Sequence, residues 1–402
     1  MGNRNVEARE FRRMALGLID PGVQPMPSRP TVAFVWPTEL CSIACAHCSF
    51  GSQRAGTPKQ RLLADHPEAL VKWFADAGGT KLVVCGGGEP LDEPEFVVRA
   101  IAASSQLGVG FEVYTSGYSL LHPTRVEEYI RDWGKAWASG NHSSSPFAVR
   151  LSVDSFHEDR IGLEPVAAWI QNIERQAPDW RVSVRSIRVE REQSVARLAT
   201  LLGARVQPIR EWSAWMVLPS GRRVFVEWKG FVYEGRGRGR VLEKRGISHT
   251  FRDAAVLEPL IAEFGPDGDL GRPLSARLTV THRRIDLEIH SDCVVHILET
   301  QAPDLRLSML DRSWEDMRAV YYRDPILHRV VESGLPAVAE LIVEAHRMGV
   351  SQEPTVPFSI ERLTDPAMLG WVTASALLAN GDRFQYPDSL RDMARRFLST
   401  DE

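Results

Sequence analysis

The chain lacks any apolar run approaching the ~20 residues that a membrane-spanning helix needs. Its N-terminus, "MGNRNVEAREFRRMALGLIDPG", lacks the long apolar core of a secretory signal. Val6 stands where a myristoylation signal needs Ser or Thr. Charge of one sign is not in excess either. A net charge of −4 on 402 residues marks neither a general nucleic-acid binder nor a membrane-surface protein. These absences predict a cytoplasmic chain with no nucleic-acid or membrane partner. Cysteine is scarce, with five residues, an odd number. In a reducing compartment that excludes a disulfide framework.

What cysteine there is, is crowded. Cys41, Cys45 and Cys48 fall within "TELCSIACAHCSF", and only Cys85 and Cys293 lie elsewhere. A tight group of thiols in a cytosolic chain points to metal or redox chemistry rather than to packing. The rest of the composition suits a large globular core: 44% hydrophobic and 25% charged residues.

Short apolar strands alternate with helical patterns from residue 31 onward. "TVAFVW", "KLVVCGGGEP", "VGFEVYTSG", "PFAVRLSVDS" and "WRVSVRSIRV" read as strands. "HPEALVKWFADAG", "EPEFVVRAIAASSQLG", "PTRVEEYIRDW", "LEPVAAWIQNIERQAP" and "SVARLATLLGA" read as the helices between and after them. "RVQPIREW" is a candidate sixth strand, made irregular by Pro208. This alternation predicts an α/β fold with a parallel sheet, either doubly wound or a β/α barrel. Ligands in both gather at the carboxyl ends of the strands. Those ends carry the cysteines, "CGGGEP", "YTSGY" and "SVDSFH". The texture changes near residue 212 to hairpins, an arginine-rich stretch that includes "GRGRGR", and a helical tail. The expected organisation is a proline-containing lead-in over 1–30, an α/β region over 31–212 and a mixed α+β region over 213–402.

Thiolates suit iron–sulfur clusters or zinc. Structural zinc wants four protein ligands, usually from paired Cys-x2-Cys knuckles. The chain offers one group and no second, and His47 sits directly beside Cys48. A 4Fe–4S cluster held by three cysteines keeps one iron open for a ligand.

"CSIACAHC" resembles the Cys-x3-Cys-x-aromatic-Cys signature of the radical S-adenosylmethionine (radical SAM) enzymes. His47 occupies the slot that often holds an aromatic residue near the adenine. "GGGEP" (Gly86 to Pro90) resembles the family's Gly-Gly-Glu-Pro motif at the next strand end. The resemblance implies a partial (β/α)6 TIM-like barrel over about residues 31 to 210, one 4Fe–4S cluster on Cys41, Cys45 and Cys48, and bound S-adenosylmethionine. It implies cofactor contacts from His47, Gly87, Gly88, Glu89, Pro90, Thr115, Ser152, Asp154 and Arg185. It also implies an external one-electron reductant of the flavodoxin or ferredoxin type. The cofactor is expected to yield a 5′-deoxyadenosyl radical that takes a hydrogen atom from a small-molecule or peptide substrate.

The C-terminal half resembles the SPASM/twitch-like extensions of family relatives, but without their auxiliary-cluster cysteines. A single cluster and a redox-neutral outcome, such as epimerisation or rearrangement on a peptide or natural product, are therefore expected. A sugar or nucleoside substrate is the alternative. An epimerase needs a hydrogen-atom donor, for which Cys293 is the first candidate and Cys85 the second; each is otherwise a buried thiol on a strand. A zinc-binding scaffold and a non-radical lyase are the readings of other classes.

Overall fold

The computed structural model describes residues 2–18, 29–48, 52, 58–120, 122, 125–140, 147–188, 192–210, 212–230, 284–297, 305–333, 335–350, 365–379 and 386–399. The "GRGRGR" stretch and most of the N-terminal proline segment lie outside them. The described residues fall into two compact units. One draws on Val32–Thr250 and Ile289–Val294, the other on Met1–Thr31, Phe251–Glu288 and Val295–Glu402.

The first unit is the β/α region. Strands β1 (Arg29–Val35), β2 (Lys81–Val84), β3 (Gly110–Thr115), β4 (Ala148–Ser152) and β5 (Arg181–Arg188) pair in parallel in sequence order. The intervening helices have identifiable starts and stops. After α1 (Gly2–Leu18) of the other unit, α2 (Pro67–Asp76) and α3 (Pro94–Leu107) each begin with proline, whose missing N–H costs nothing there. Gly108 ends α3 in the left-handed region, φ 70°. The pattern Phe96, Val97, Ala100, Ile101 places one buried stripe on that helix. Tyr129, Ile130 and Trp133 do so on α4 (Val126–Ala138). A short α5 (Ser155–Ile161) and α6 (Glu164–Gln176) follow β4, and α7 (Ser194–Leu201) follows β5. Trp133 and Trp169 meet at 5.1 Å between ring centroids, and both are fully buried. Each contributes on the order of 2–3 kcal/mol or more through the apolar area it removes from water.

The sixth parallel strand is not the one the sequence suggests. Arg205–Arg210 does form a strand, β6, but it lies at the edge of the sheet with every residue exposed. It pairs antiparallel with β7 (Ser213–Val217), which pairs antiparallel with β8 (Arg223–Gly230) across a turn at Ser220–Gly221. β8 is the strand that runs parallel beside β5. The physical reason lies in the residues. Pro208 cannot donate to a second neighbour and belongs on an edge. Val224 and Val226 of β8 alternate on a fully buried face. The order across this unit is β1-β2-β3-β4-β5-β8-β7-β6. This parallel-dominated sheet with helical crossovers is the partial TIM-like barrel.

The second unit is mainly helical. The segment read only as a lead-in contains α1. Strands β9 (Arg284–Ile289) and β10 (Val294–Ile297) form a hairpin whose turn, Ile289–Val294, belongs to the first unit, and β11 (Leu307–Ser308) follows. Then come α8 (Trp314–Arg323), α9 (Pro325–Ser333), α10 (Leu335–Arg347), α11 (Pro366–Ala379) and α12 (Asp388–Ser399). α11 is buried almost all round and is the core helix. Phe11 and Ala15 of α1 cluster with Ala374, Leu377, Leu390 and Ala394. Arg12, 2% exposed, donates to Asp324 at 2.5 Å and to Thr373 at 2.9 Å. Asp324 also caps α9 through Ile326 N and Leu327 N. No helix among the described residues is long and apolar enough to cross a membrane.

Candidate active site

The cysteine loop leaves β1 at Trp36 and is held from two sides. Toward β2, Glu89 N donates to Leu40 O at 3.1 Å. Gly88 lies so close to Leu40 that a Cβ there would stand 1.9 Å from the Leu40 carbonyl oxygen. Gly87 has φ +99°, a conformation glycine adopts without strain. The glycines of "GGGEP" therefore serve a backbone-on-backbone contact with the cysteine loop. Asp92, three residues past Glu89, accepts from Ser42 N at 2.6 Å, Ser42 Oγ at 2.8 Å and Ser119 Oγ at 2.5 Å.

On the other side stands α5. Asp154 caps it, with Oδ1 accepting from Phe156 N and His157 N, both at 3.1 Å. The helix then presents three side chains to the loop. Arg160 Nε donates to Ile43 O at 3.0 Å. Phe156 stacks on His47, with ring centroids 4.7 Å apart. The ligating atoms of His157, His47 and Cys45 lie within 4.8 Å of one another. His157 Nδ1 is 2.8 Å from Asp154 Oδ2, and His47 Nε2 is 3.7 Å from the same oxygen. Burial alone would raise the Asp154 carboxyl, but the charges of His157 and His47 and the donated hydrogen bonds hold it well below its usual range. Burial would lower His157, and Asp154 together with Cys45 outweighs it, so His157 lies well above its ordinary value.

Ala44 takes φ 53°, and Cys48 N donates to Cys45 O, so the loop curls back between its second and third thiols. Cys45 is buried, and Cys41 and Cys48 are partly exposed. The Cys41 thiol is pushed up to about 12 by burial and then by the charge of Glu89, against the N–H groups of Ala44 and Ile43. A thiolate here calls for a positive partner, which a bound metal would supply. The donor set fits a cluster held by three cysteines on one loop.

Glu89 is buried, and its two oxygens take four donors: Leu91 N at 3.0 Å, Thr115 Oγ1, Ser116 N at 3.0 Å and Ser116 Oγ at 2.8 Å. Burial pushes this carboxyl up to about 7, against those hydrogen bonds. Its side chain ties the β2 turn to the end of β3, and Pro90 starts the short 3-10 turn that carries Asp92. Ser152 ends β4 and lies in register with Arg185 of β5. Arg185 Nη2 donates to Glu227 of β8 at 2.6 Å. Cys85 continues β2, its N–H bonded to Val35 O. Cys293 sits fully buried in the turn between β9 and β10, with φ 66°. That turn is fixed to the root of the cysteine loop by Trp36 N to Ile289 O at 2.8 Å and by stacking of His290 on Trp36.

Several neighbours of the site were not singled out from the sequence. Asp92 follows "GGGEP" at a fixed step, and His157 lies one helical turn past Asp154. Glu112, Arg150 and Glu227 were signalled by single charges inside otherwise apolar strands, "FEVY", "VRLS" and "VFVEW". Residues 36–212 match the family model described as Radical SAM superfamily. No curated protein was found to match the chain.

Proposed function

The chain belongs to the radical SAM superfamily through residues 36–212, and we propose that it opens an unactivated C–H bond of a peptide or natural-product substrate with a redox-neutral outcome. One observation carries the reading: the three-cysteine loop at the end of β1 lies backbone to backbone against the Gly-Gly-Glu turn at the end of β2. Cys41, Cys45 and Cys48 would hold a 4Fe–4S cluster. The backbone of Gly87 to Glu89, with Thr115, Ser152, Asp154, Arg185 and His47 around the same rim, would hold S-adenosylmethionine. Together, when bound, they supply one-electron reductive cleavage and a radical that takes hydrogen from carbon.

The chain's own residues do the rest. Glu89 and its four donors keep the β2 turn rigid against the end of β3. Asp154 fixes the His157 ring, and Phe156 fixes His47, so the side of the cysteine loop facing α5 is walled by packed rings that limit water. A redox-neutral outcome is supported by the cysteine inventory, since Cys293 alone follows Cys85 and one thiol cannot hold a second cluster. A flavodoxin- or ferredoxin-type reductant and a cytoplasmic setting suit a low-potential, oxygen-sensitive centre.

Anaerobic protein reduced with dithionite and supplied with S-adenosylmethionine should release methionine and 5′-deoxyadenosine. Absence of both, with iron present, would reject the reading. A second reading rests on the closeness of Cys45, His47 and His157, backed by Asp154, which is the geometry of a single ion with an oriented histidine. Zinc at one per chain with no iron would favour it.

A further inference from the structure

The inside face of the barrel carries a guanidinium nitrogen that finds no hydrogen-bond acceptor among the described residues. Register pairs Tyr114 of β3 with Arg150 of β4, and Ser152 with Arg185 and then Glu227, so these side chains share one face of the sheet. Val113, Val149, Leu151, Val184 and Val226 occupy the opposite face and are buried.

Arg150 is the anomaly. Its side chain is 16% exposed, yet it makes no hydrogen bond to any described residue. Nη2 stands 3.7 Å from Glu112 and Nη1 3.8 Å from Glu227, both beyond the usual 2.7–3.2 Å of an N–H···O bond. Nη1 is buried without an acceptor. The guanidinium rests instead on Tyr114, with Cζ 4.2 Å from the ring centroid. Arg185, by contrast, holds Glu227 directly. Glu112 has its own close partner in Lys81. A guanidinium buried to this extent is expensive unless something accepts its N–H groups.

We propose, resting on the radical SAM reading, that Arg150 receives a carboxylate of the substrate inside the barrel. The fork of donors matches a carboxylate. Within this ion-paired group, Lys81, Arg150 and Arg185 against Glu112 and Glu227 leave one positive charge, which a monoanion neutralises. A phosphate dianion would overshoot it and crowd the two flanking glutamates. Arg150 is not among the residues assigned to the cofactor, and it meets one of them, Arg185, only through the shared Glu227 Oε2. Arg150 precedes Ser152 by two residues on β4, which sets its Cα about 7 Å deeper than that of Ser152. The substrate class is therefore an acid: a carboxylated small molecule, or a peptide presenting an acidic side chain or its C-terminus.

The test uses cluster-loaded protein saturated with S-adenosylmethionine, with acetate as the probe against chloride at constant ionic strength, read as the rise in Tm. Wild-type protein should show a saturable rise with acetate and a weaker one with inorganic phosphate. Arg150→Met should bind acetate at least about tenfold more weakly, and Arg150→Lys should fall between, because Lys keeps the charge and loses the fork. Calorimetric affinity for S-adenosylmethionine should stay within about twofold in both variants, since Arg185 keeps its own bond to Glu227. With acetate absent, the Tm of Arg150→Met should be unchanged or higher, since Arg150 makes no hydrogen bond among the described residues and Glu112 and Glu227 keep closer cations in Lys81 and Arg185. No saturation in wild type would mean that water fills the site, and would overturn the proposal. Equal acetate binding in all three proteins, or tighter phosphate binding, would overturn it too. A parallel loss of cofactor affinity would reassign Arg150 to the cofactor. Should Arg150→Met fail to fold, the wild-type and Arg150→Lys titrations still decide. Failure of the underlying reading shows separately, as wild-type protein without a cluster or without cofactor binding.

Discussion

Gly88→Ala tests how tightly the second strand's turn grips the cysteine loop. A Cβ at position 88 would meet the Leu40 oxygen at 1.9 Å, the Leu40 carbonyl carbon at 2.8 Å and Thr38 Cγ2 at 2.9 Å. Real Cβ atoms keep at least 3.0 Å, so the backbone of Leu40 must retreat by about 1.1 Å, the difference between those distances. Two of the three obstacles are backbone atoms, which cannot swing aside as a side chain can. The retreat lengthens the 3.1 Å bond from Glu89 N to Leu40 O past hydrogen-bond distance. Overpacking costs roughly 1–3 kcal/mol, and the lost hydrogen bond roughly 0.5–1.5 more. Leu40 is the residue before Cys41, so the first thiol moves with it. A displacement near 1 Å is large against the roughly 0.5 Å tolerance of a preorganised site. The assay is iron and sulfide content after anaerobic reconstitution, with circular dichroism to confirm the fold. Gly88→Ala should fold and hold less than about half the wild-type iron. Full iron content with unchanged affinity for S-adenosylmethionine would refute the claim that this contact sets the loop.

Three further expectations are independent of that one. Arg12→Met should lower the stability measured by urea unfolding by about 3–5 kcal/mol, because it leaves Asp324 buried without its cation; a loss under about 1 kcal/mol would show the pair to be incidental. Asp92→Asn should speed iron loss to a chelator roughly tenfold by weakening the clamp on Ser42 and Ser119; an unchanged rate would remove Asp92 from the loop's support. Glu89 has its folded value raised from 4.5 to about 7, so the folded apo-protein holds this proton where the unfolded chain has released it. Its contribution is therefore full below about pH 4.5 and falls by about 3 kcal/mol as the pH climbs to 7. The stability difference between wild type and Glu89→Gln should fall across that window, and a flat difference would contradict it.

The parts of this molecule legible in sequence are those encoded at short range. Cys41, Cys45 and Cys48 share one loop, so their spacing alone marks a candidate metal site. Five strands and their helices follow from apolar periodicity, because each crossover returns the chain to the neighbouring position. Elsewhere the information is spread out. The sixth parallel strand is β8 because a β6–β7 ribbon intervenes, and nothing local to "RVQPIREW" says that it will be an edge. Arg150, Glu112 and Glu227 become neighbours only once three strands are in register. Arg12 finds Asp324 across 312 positions of chain, and α1 carries no local mark of where it will dock. His157 meets Cys45 because Asp154 starts a helix in the direction that brings it there. Asp154 in "SVDS" is signalled in sequence only as a polar residue at a strand end; that it caps α5 and meets two histidines emerges only in the fold.

The central claim is that three thiols on one loop leave an iron corner free to take an amino acid. Mössbauer spectroscopy of anaerobically reconstituted, isotopically iron-labelled protein measures this directly. The expected spectrum has about four irons per chain in one cubane, one of which changes its isomer shift when S-adenosylmethionine is added. Four irons indifferent to the cofactor, or no cubane at all, would contradict the account.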